Sequence, residues 1–220
     1  MIGATAGGKL NMGKELFGSN GIRRLTGLGI LCALIVVLQV LSNFLSFGPI
    51  TFNLAMVPII VGAAIYGTGA AAILGFVFSS IVLISGLTGL DKGFVLSMMA
   101  FHPTESIFET ILIIYLKGIT APVCSALIYR AISNINETVA TIAAGIVCPI
   151  VNTGIFISGM LLWFLPFLRG FENYSGASVL TIVLSFVGIN FLVELLLNVV
   201  LSSAVTRIFH NIKKYEFSYG

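Results

Sequence analysis

Asn190, Glu194, Asn198 and Ser202 recur at every fourth position of an otherwise apolar stretch near the C-terminal end of the chain. That spacing lines them along one face of a helix. Two more ionisable side chains, Glu109 and Lys117, interrupt a second apolar stretch, where Ser106, Thr110 and Lys117 share a face at separations of 4 and 7 residues. A third stretch carries Asn152, on a stripe with Thr141, Gly145 and Cys148. Carboxylate, ammonium and carboxamide groups in such surroundings can do one of two things. They can pair among themselves, Lys117 with Glu194 as a buried ion pair and the asparagines as staples between helices. Alternatively they can line a cavity that receives a polar solute. For Lys117, Asn152 and Asn190 both readings stand, whereas Asn198 and Ser202 read as staples.

The surroundings are lipid. Of the 220 residues 58% are hydrophobic and 9% charged, the mean hydropathy is +1.10, and no charged residue falls between Arg24 and Asp91. A run of that length is too long for one core element and would be insoluble on a surface. The apolar runs are continuous rather than alternating, so a β-barrel is excluded and the class is an all-α polytopic membrane protein. This context also disposes of a phosphate-loop reading of GATAGGKL at residues 3–10. Leu10 stands where such a loop needs a Ser or Thr hydroxyl for Mg²⁺, and no strand is expected before Gly3. Cys32, Cys124 and Cys148 lie within apolar segments at spacings that suit neither zinc nor a redox pair. No metal site and no cofactor is expected, and no cleavable signal is read at the N-terminus.

Hydropathy and helix breakers divide the chain into six spans, about 25–47, 52–66, 69–84, 104–132, 138–164 and 177–209. The second and third are joined by the turn Gly67-Thr68-Gly69 and are too short to cross about 30 Å of hydrocarbon upright. Placing the N-terminus inside makes Lys9, Lys14, Arg23, Arg24, Arg130, Arg207, Lys213 and Lys214 cytoplasmic and leaves only Lys92 and Arg169 outside. Both termini are therefore expected in the cytoplasm, and residues 1–220 form one membrane domain, with 1–22 a flexible arm and 210–220 a tail. Glu109, Lys117 and Glu194 then lie within spans, where an ionisable group costs about 2.5–3.5 kcal/mol and marks a candidate site. Asn53, at the start of the second span, reads as a helix cap or a contact. His102, before Pro103, is a weaker ligand candidate, and Phe101 and Phe108 are read as packing residues. Gly29 and Ala33, four apart on the first span, and the row Ala71, Gly75, Ser79 on the third let helices approach closely. Internal packing explains both rows, and the first could equally dock a partner membrane protein.

The stretches FNLAMVPIIVGAAIYGTGAAAILGFVFS at 52–79, YLKGITAPVCSALIYRAI at 115–132 and AAGIVCPIVNTGIFISGMLLWF at 143–164 complete a pattern. With six spans and small-xxx-small in the first, it resembles the substrate-binding S components of energy-coupling factor (ECF) transporters, over nearly the whole chain. The resemblance implies a substrate-capture subunit of a bacterial cell-membrane importer, not an enzyme. It implies a water-soluble vitamin bound near the outer face by the outer loops and the last three spans. It also implies partners: a transmembrane coupling subunit and two cytoplasmic ATPases that drive toppling of the S component. The family's first-span Ala-x-x-x-Ala docking motif carries onto Gly29 and Ala33, with Gly in place of the first Ala.

The candidate substrate contacts are Lys117, Asn152, Asn190, Glu194, Glu109, Asn53 and His102. A cation within lipid gains most from a carboxylate. Within the family that points to pantothenate, whose carboxylate, amide and hydroxyls match Lys117, Asn152 and Asn190. The alternative is a non-catalytic structural scaffold of a cell-wall complex, which would bind no metabolite. An intramembrane enzyme finds no support: the spans hold no His-Glu-x-x-His, no paired aspartates and no Ser–His arrangement.

Overall fold

The structure is a computed structural model and describes residues 19–44, 53–90, 107–165 and 191–202, with positions 176, 178–181, 184, 188 and 204. All its regular elements are helices. They are α1 Ser19–Phe44, α2 Met56–Tyr66, α3 Thr68–Leu87, α4 Ile107–Ser133 and α5 Glu137–Gly159, which continues into one π turn at Met160–Phe164. The apolar helix Phe191–Ser202 is α6. Of these, α1, α3, α4 and α5 with its π turn are long and apolar enough to cross a membrane.

Among the boundaries that differ from the sequence reading, α2 begins at Met56 rather than near residue 52. Helix α1 starts at Ser19 rather than near Leu25, because a helix can begin in polar residues before hydropathy rises. Helix α3 runs past Ser85-Gly86 to Leu87, so at 20 residues it does span about 30 Å, contrary to expectation. Thr88 ends it, its hydroxyl donating to Ile84 O at 2.8 Å and its N–H to the same carbonyl at 2.9 Å. The predicted break at Gly48-Pro49 lies outside the described residues.

Helix α2 is short because it is a core element. Every residue from Met56 to Ala63 is buried. One side joins Ile35, Leu74, Phe78, Val82 and Ile114 through Ala55 and Ile59; another joins Ala121, Ala144 and Cys148 through Met56 and Ile60. Gly67 turns the chain into α3 at φ +81°, a conformation that an L side chain resists. Its N–H closes α2 on Ala63 O at 3.0 Å, and Arg24 of α1 donates to Tyr66 O at 2.9 Å, where the carbonyls at a helix C-terminus attract a cation.

Prolines shape the two long helices that follow. Pro122 in α4 and Pro149 in α5 lack the N–H that would bond the carbonyl four residues earlier, at Gly118 and Gly145. Both glycines face a neighbouring helix. A Cβ on Gly75 of α3 would collide with the Gly118 carbonyl, and one on Gly145 would press to 3.3 Å from Val199 Cα of α6. Hydroxyls complete the same seams. Ser79 Oγ donates to Gly75 O (2.9 Å) or Ile114 O (3.1 Å), and Ser125 Oγ donates to Ala144 O at 3.0 Å. The row Ala71, Gly75, Ser79 therefore packs inward, as expected. Asn136 caps α5, its Oδ1 accepting from Thr138 N at 2.9 Å and Val139 N at 3.1 Å.

Candidate functional site

The polar faces meet at Glu194. This carboxylate on α6 is 8% exposed and accepts a hydrogen bond from Asn53 Nδ2, just ahead of α2, at 3.5 Å. Asn53 does not cap α2: position 55 precedes that helix, and no side chain caps it. The Lys117 ammonium of α4 and the Cys148 thiol of α5 both lie within electrostatic reach of Glu194. Three segments distant in sequence, the residue ahead of α2, α4 and α5, therefore approach one buried carboxylate on α6.

Lys117 is only half-buried, and its Nζ sits 5.1 Å from the centre of the Phe156 ring, a cation–π distance. Along α5, Cys148, Asn152 and Phe156 are successive turns of one face. That ordering sets Asn152 between the turn that reaches Glu194 and the turn that holds the lysine. Asn152 is 5% exposed and its Oδ1 finds no hydrogen-bond partner among the described residues. The same is true of Asn53 Oδ1, Thr110 Oγ1 and Glu109 Oε2. The Asn152 oxygen is therefore uncommitted among the described residues. Asn198 donates to Met56 Sδ at 3.7 Å, a weak bond, while its Oδ1 and Ser202 Oγ are buried without a partner.

His102 and Asn190 lie outside the described residues, as does Phe101. Phe108 is on the surface, 71% exposed. Two residues escaped the sequence reading. Phe156 is one of 17 phenylalanines, and only its turn relation to Asn152 distinguishes it. Gln39, the polar residue within the apolar run of α1, is 7% exposed with Oε1 unpartnered.

A groove of about 360 Å³ runs between α4 and α5, lined by Ile113, Leu116, Val151, Ile155, Leu162 and Trp163. None of the polar candidates lines it. Its one hydroxyl, Ser158, donates to Gly154 O at 2.8 Å, so it is an apolar lateral groove unsuited to a polar solute.

On α1 the small residues face outward. Gly29 and Ala33 are exposed, and a Cβ added to Gly29 meets nothing within 4 Å. With Ile22, Leu25, Val37 and Val40 they form an exposed apolar stripe. Gly27, by contrast, abuts the Tyr66 side chain. Internal packing therefore accounts for Gly27 and not for the pair four apart.

A buried carboxylate on α6 and a half-buried lysine on α4 are ionisable groups of the kind that mark solute pathways in membrane proteins. The family of ECF transporter substrate-specific components matches residues 23–206, and the chain belongs to that family. It is a substrate-specific transport subunit of a multi-pass membrane system, a substrate binder and not a catalyst. The scaffold alternative falls with that assignment. No curated protein and no solved structure matches the chain.

Proposed function

We propose that the chain captures a water-soluble vitamin in the polar core around Glu194 and delivers it inward by toppling, driven by two partner ATPases through a coupling subunit. One observation carries this reading. Glu194, Asn53 and Lys117 are drawn together from three separate parts of the chain, while buried oxygens of Asn53 and Asn152 have no partner among the described residues. Each such oxygen costs about 1–3 kcal/mol when left unsatisfied. A polar ligand or its hydration water recovers that cost.

Pantothenate is the solute whose groups best suit the lining. Its carboxylate suits the Lys117 side, and its hydroxyls and amide N–H suit the carboxamide oxygens. The outward stripe through Gly29 and Ala33 supports docking of the coupling subunit on α1, since close helix approach needs small residues there. A thermal-shift screen of the purified chain against water-soluble vitamins tests the capture step. A ligand at 100 times its dissociation constant stabilises by about 2.7 kcal/mol, which for a chain of this size raises the melting temperature by roughly 5–10 °C. If pantothenate and every other vitamin in the screen leave the melting temperature unchanged, the capture reading is wrong.

A further inference from the structure

The unpartnered atoms of the core share a chemical character. The oxygens of Asn53, Asn152 and Glu109 can only accept a hydrogen bond when the carboxyl is ionised, and the Thr110 hydroxyl can accept or donate. Thr110 is 2% exposed and Asn152 5%, so both are more than nine-tenths buried. For Asn53 the amide orientation is decided by its neighbour: the nitrogen must face the Glu194 carboxylate, which leaves the oxygen turned elsewhere.

These atoms fall on one axial path. Asn53 lies at Glu194, and Asn152 is one turn from Cys148, which also reaches Glu194. Lys117 sits over Phe156 one turn further along α5, and Thr110 lies two turns before Lys117 on the same face of α4. Two of the donors beside them have partners, Asn53 Nδ2 on Glu194 and the Lys117 ammonium near the Phe156 ring. A solute that brought only acceptors would leave these buried oxygens without a partner.

We propose that the captured solute is recognised mainly through the protons it donates. Its hydroxyl or N–H groups go to Asn53 Oδ1, Asn152 Oδ1 and the Thr110 hydroxyl, and any carboxylate is left towards Lys117. This rests on the capture reading above and narrows it to donor-rich solutes, polyols and amides or amines, with Thr110 as an added specificity residue. A site built on such bonds rejects analogues that lack the donating group, because its own buried acceptors then stay unpaired.

The test uses the full chain purified in mild detergent, with thermal shift and calorimetry. Pantothenate, riboflavin and thiamine serve as donor-bearing probes, and nicotinate serves as a carboxylate whose anion brings no donor. A donor-bearing probe is expected to bind where nicotinate does not. Asn152→Leu and Thr110→Val should each weaken its dissociation constant about five- to tenfold, the size of one hydrogen bond. The unliganded variants should melt at or above the wild-type temperature, since each removes an unsatisfied buried group. Nicotinate binding as tightly as the others, or undiminished affinity in both variants, overturns the proposal while leaving vitamin capture intact. Failure of every probe to shift the wild type counts instead against capture. In that case the unliganded variants still decide, because a fall of more than about 4 °C in either marks a structural group and overturns the assignment.

Discussion

Gly75→Ala and Gly29→Ala add the same methyl group to transmembrane helices, and the packing around each requires opposite results. At Gly75 the new Cβ would collide with the Gly118 carbonyl, a backbone atom of α4 that cannot swing away as a side chain would. Relief requires α3 and α4 to separate. That movement would strain the Ser79 Oγ bond to Ile114 O, 3.1 Å long, and loosen Phe78 and Ile114, which pack in one buried cluster. Overpacking of this kind costs about 1–3 kcal/mol, and the better helix propensity of Ala returns at most about 1 kcal/mol. The net loss of up to about 2 kcal/mol lowers the melting temperature by up to roughly 8 °C for a chain of this size. At Gly29 nothing lies within 4 Å of the added atom, so only the propensity gain remains and the melting temperature stays level or rises slightly. Thermal denaturation of both variants in one detergent, read by tryptophan fluorescence from Trp163, measures the difference. Equal melting temperatures for the two variants would refute the close α3–α4 crossing.

Lys117→Ala should leave the protein folded and weaken binding of an anionic probe such as pantothenate by tenfold or more, as a charge-assisted contact is lost; calorimetry measures it, and unchanged affinity with lowered stability would assign Lys117 to Glu194 alone. Ala33→Leu, on the exposed stripe of α1, should abolish co-purification with the coupling subunit while the isolated chain keeps its melting temperature; normal assembly would remove the stripe from the interface. Asn136→Ala removes the α5 cap, which accepts from two backbone N–H groups. It should cost about 1 kcal/mol, seen as a drop of roughly 2–4 °C with no effect on ligand affinity.

Local features of the bundle were legible and long-range ones were not. The uncharged run after Arg24 dictates membrane helices, and Gly67 marks the α2–α3 turn, because both are properties of neighbouring residues. The faces that carry Lys117, Asn152 and Glu194 also follow from spacing. Spacing within one helix says which residues share a face and nothing about what that face meets. Asn53 and Glu194 are 141 residues apart, so only tertiary packing turns an apparent cap into a partner of the carboxylate. Phe156 is invisible for the same reason. The pairs Gly118–Pro122 and Gly145–Pro149 were readable as a repeated spacing, yet their meaning appears only when Gly75 and Val199 are seen against them. On α1, hydropathy cannot distinguish Gly27, pressed on Tyr66, from Gly29, which touches nothing.

A bundle that keeps unpartnered acceptors inside must draw its stability from elsewhere, and the placement of its small residues indicates where. The tight seams lie between α3 and α4, at Gly75, Ser79 and Gly118, and between α5 and α6 at Gly145. Buried α2 fills the space between them with Ala55, Met56, Ile59 and Ile60. Packing there is apolar or hydroxyl-to-carbonyl, as where Ser79 Oγ reaches Gly75 O within α3 or Ile114 O across on α4. The group around Asn53, Asn152 and Thr110 has the opposite character, since its oxygens are buried but uncommitted. Pre-organised packing around such atoms keeps them from collapsing onto one another, so they remain available to an incoming donor. Substitutions in the seams should therefore change stability and leave ligand selectivity alone, and substitutions of the uncommitted oxygens should do the reverse. That separation of effects, more than any single affinity, distinguishes a receptive core from a merely imperfect one.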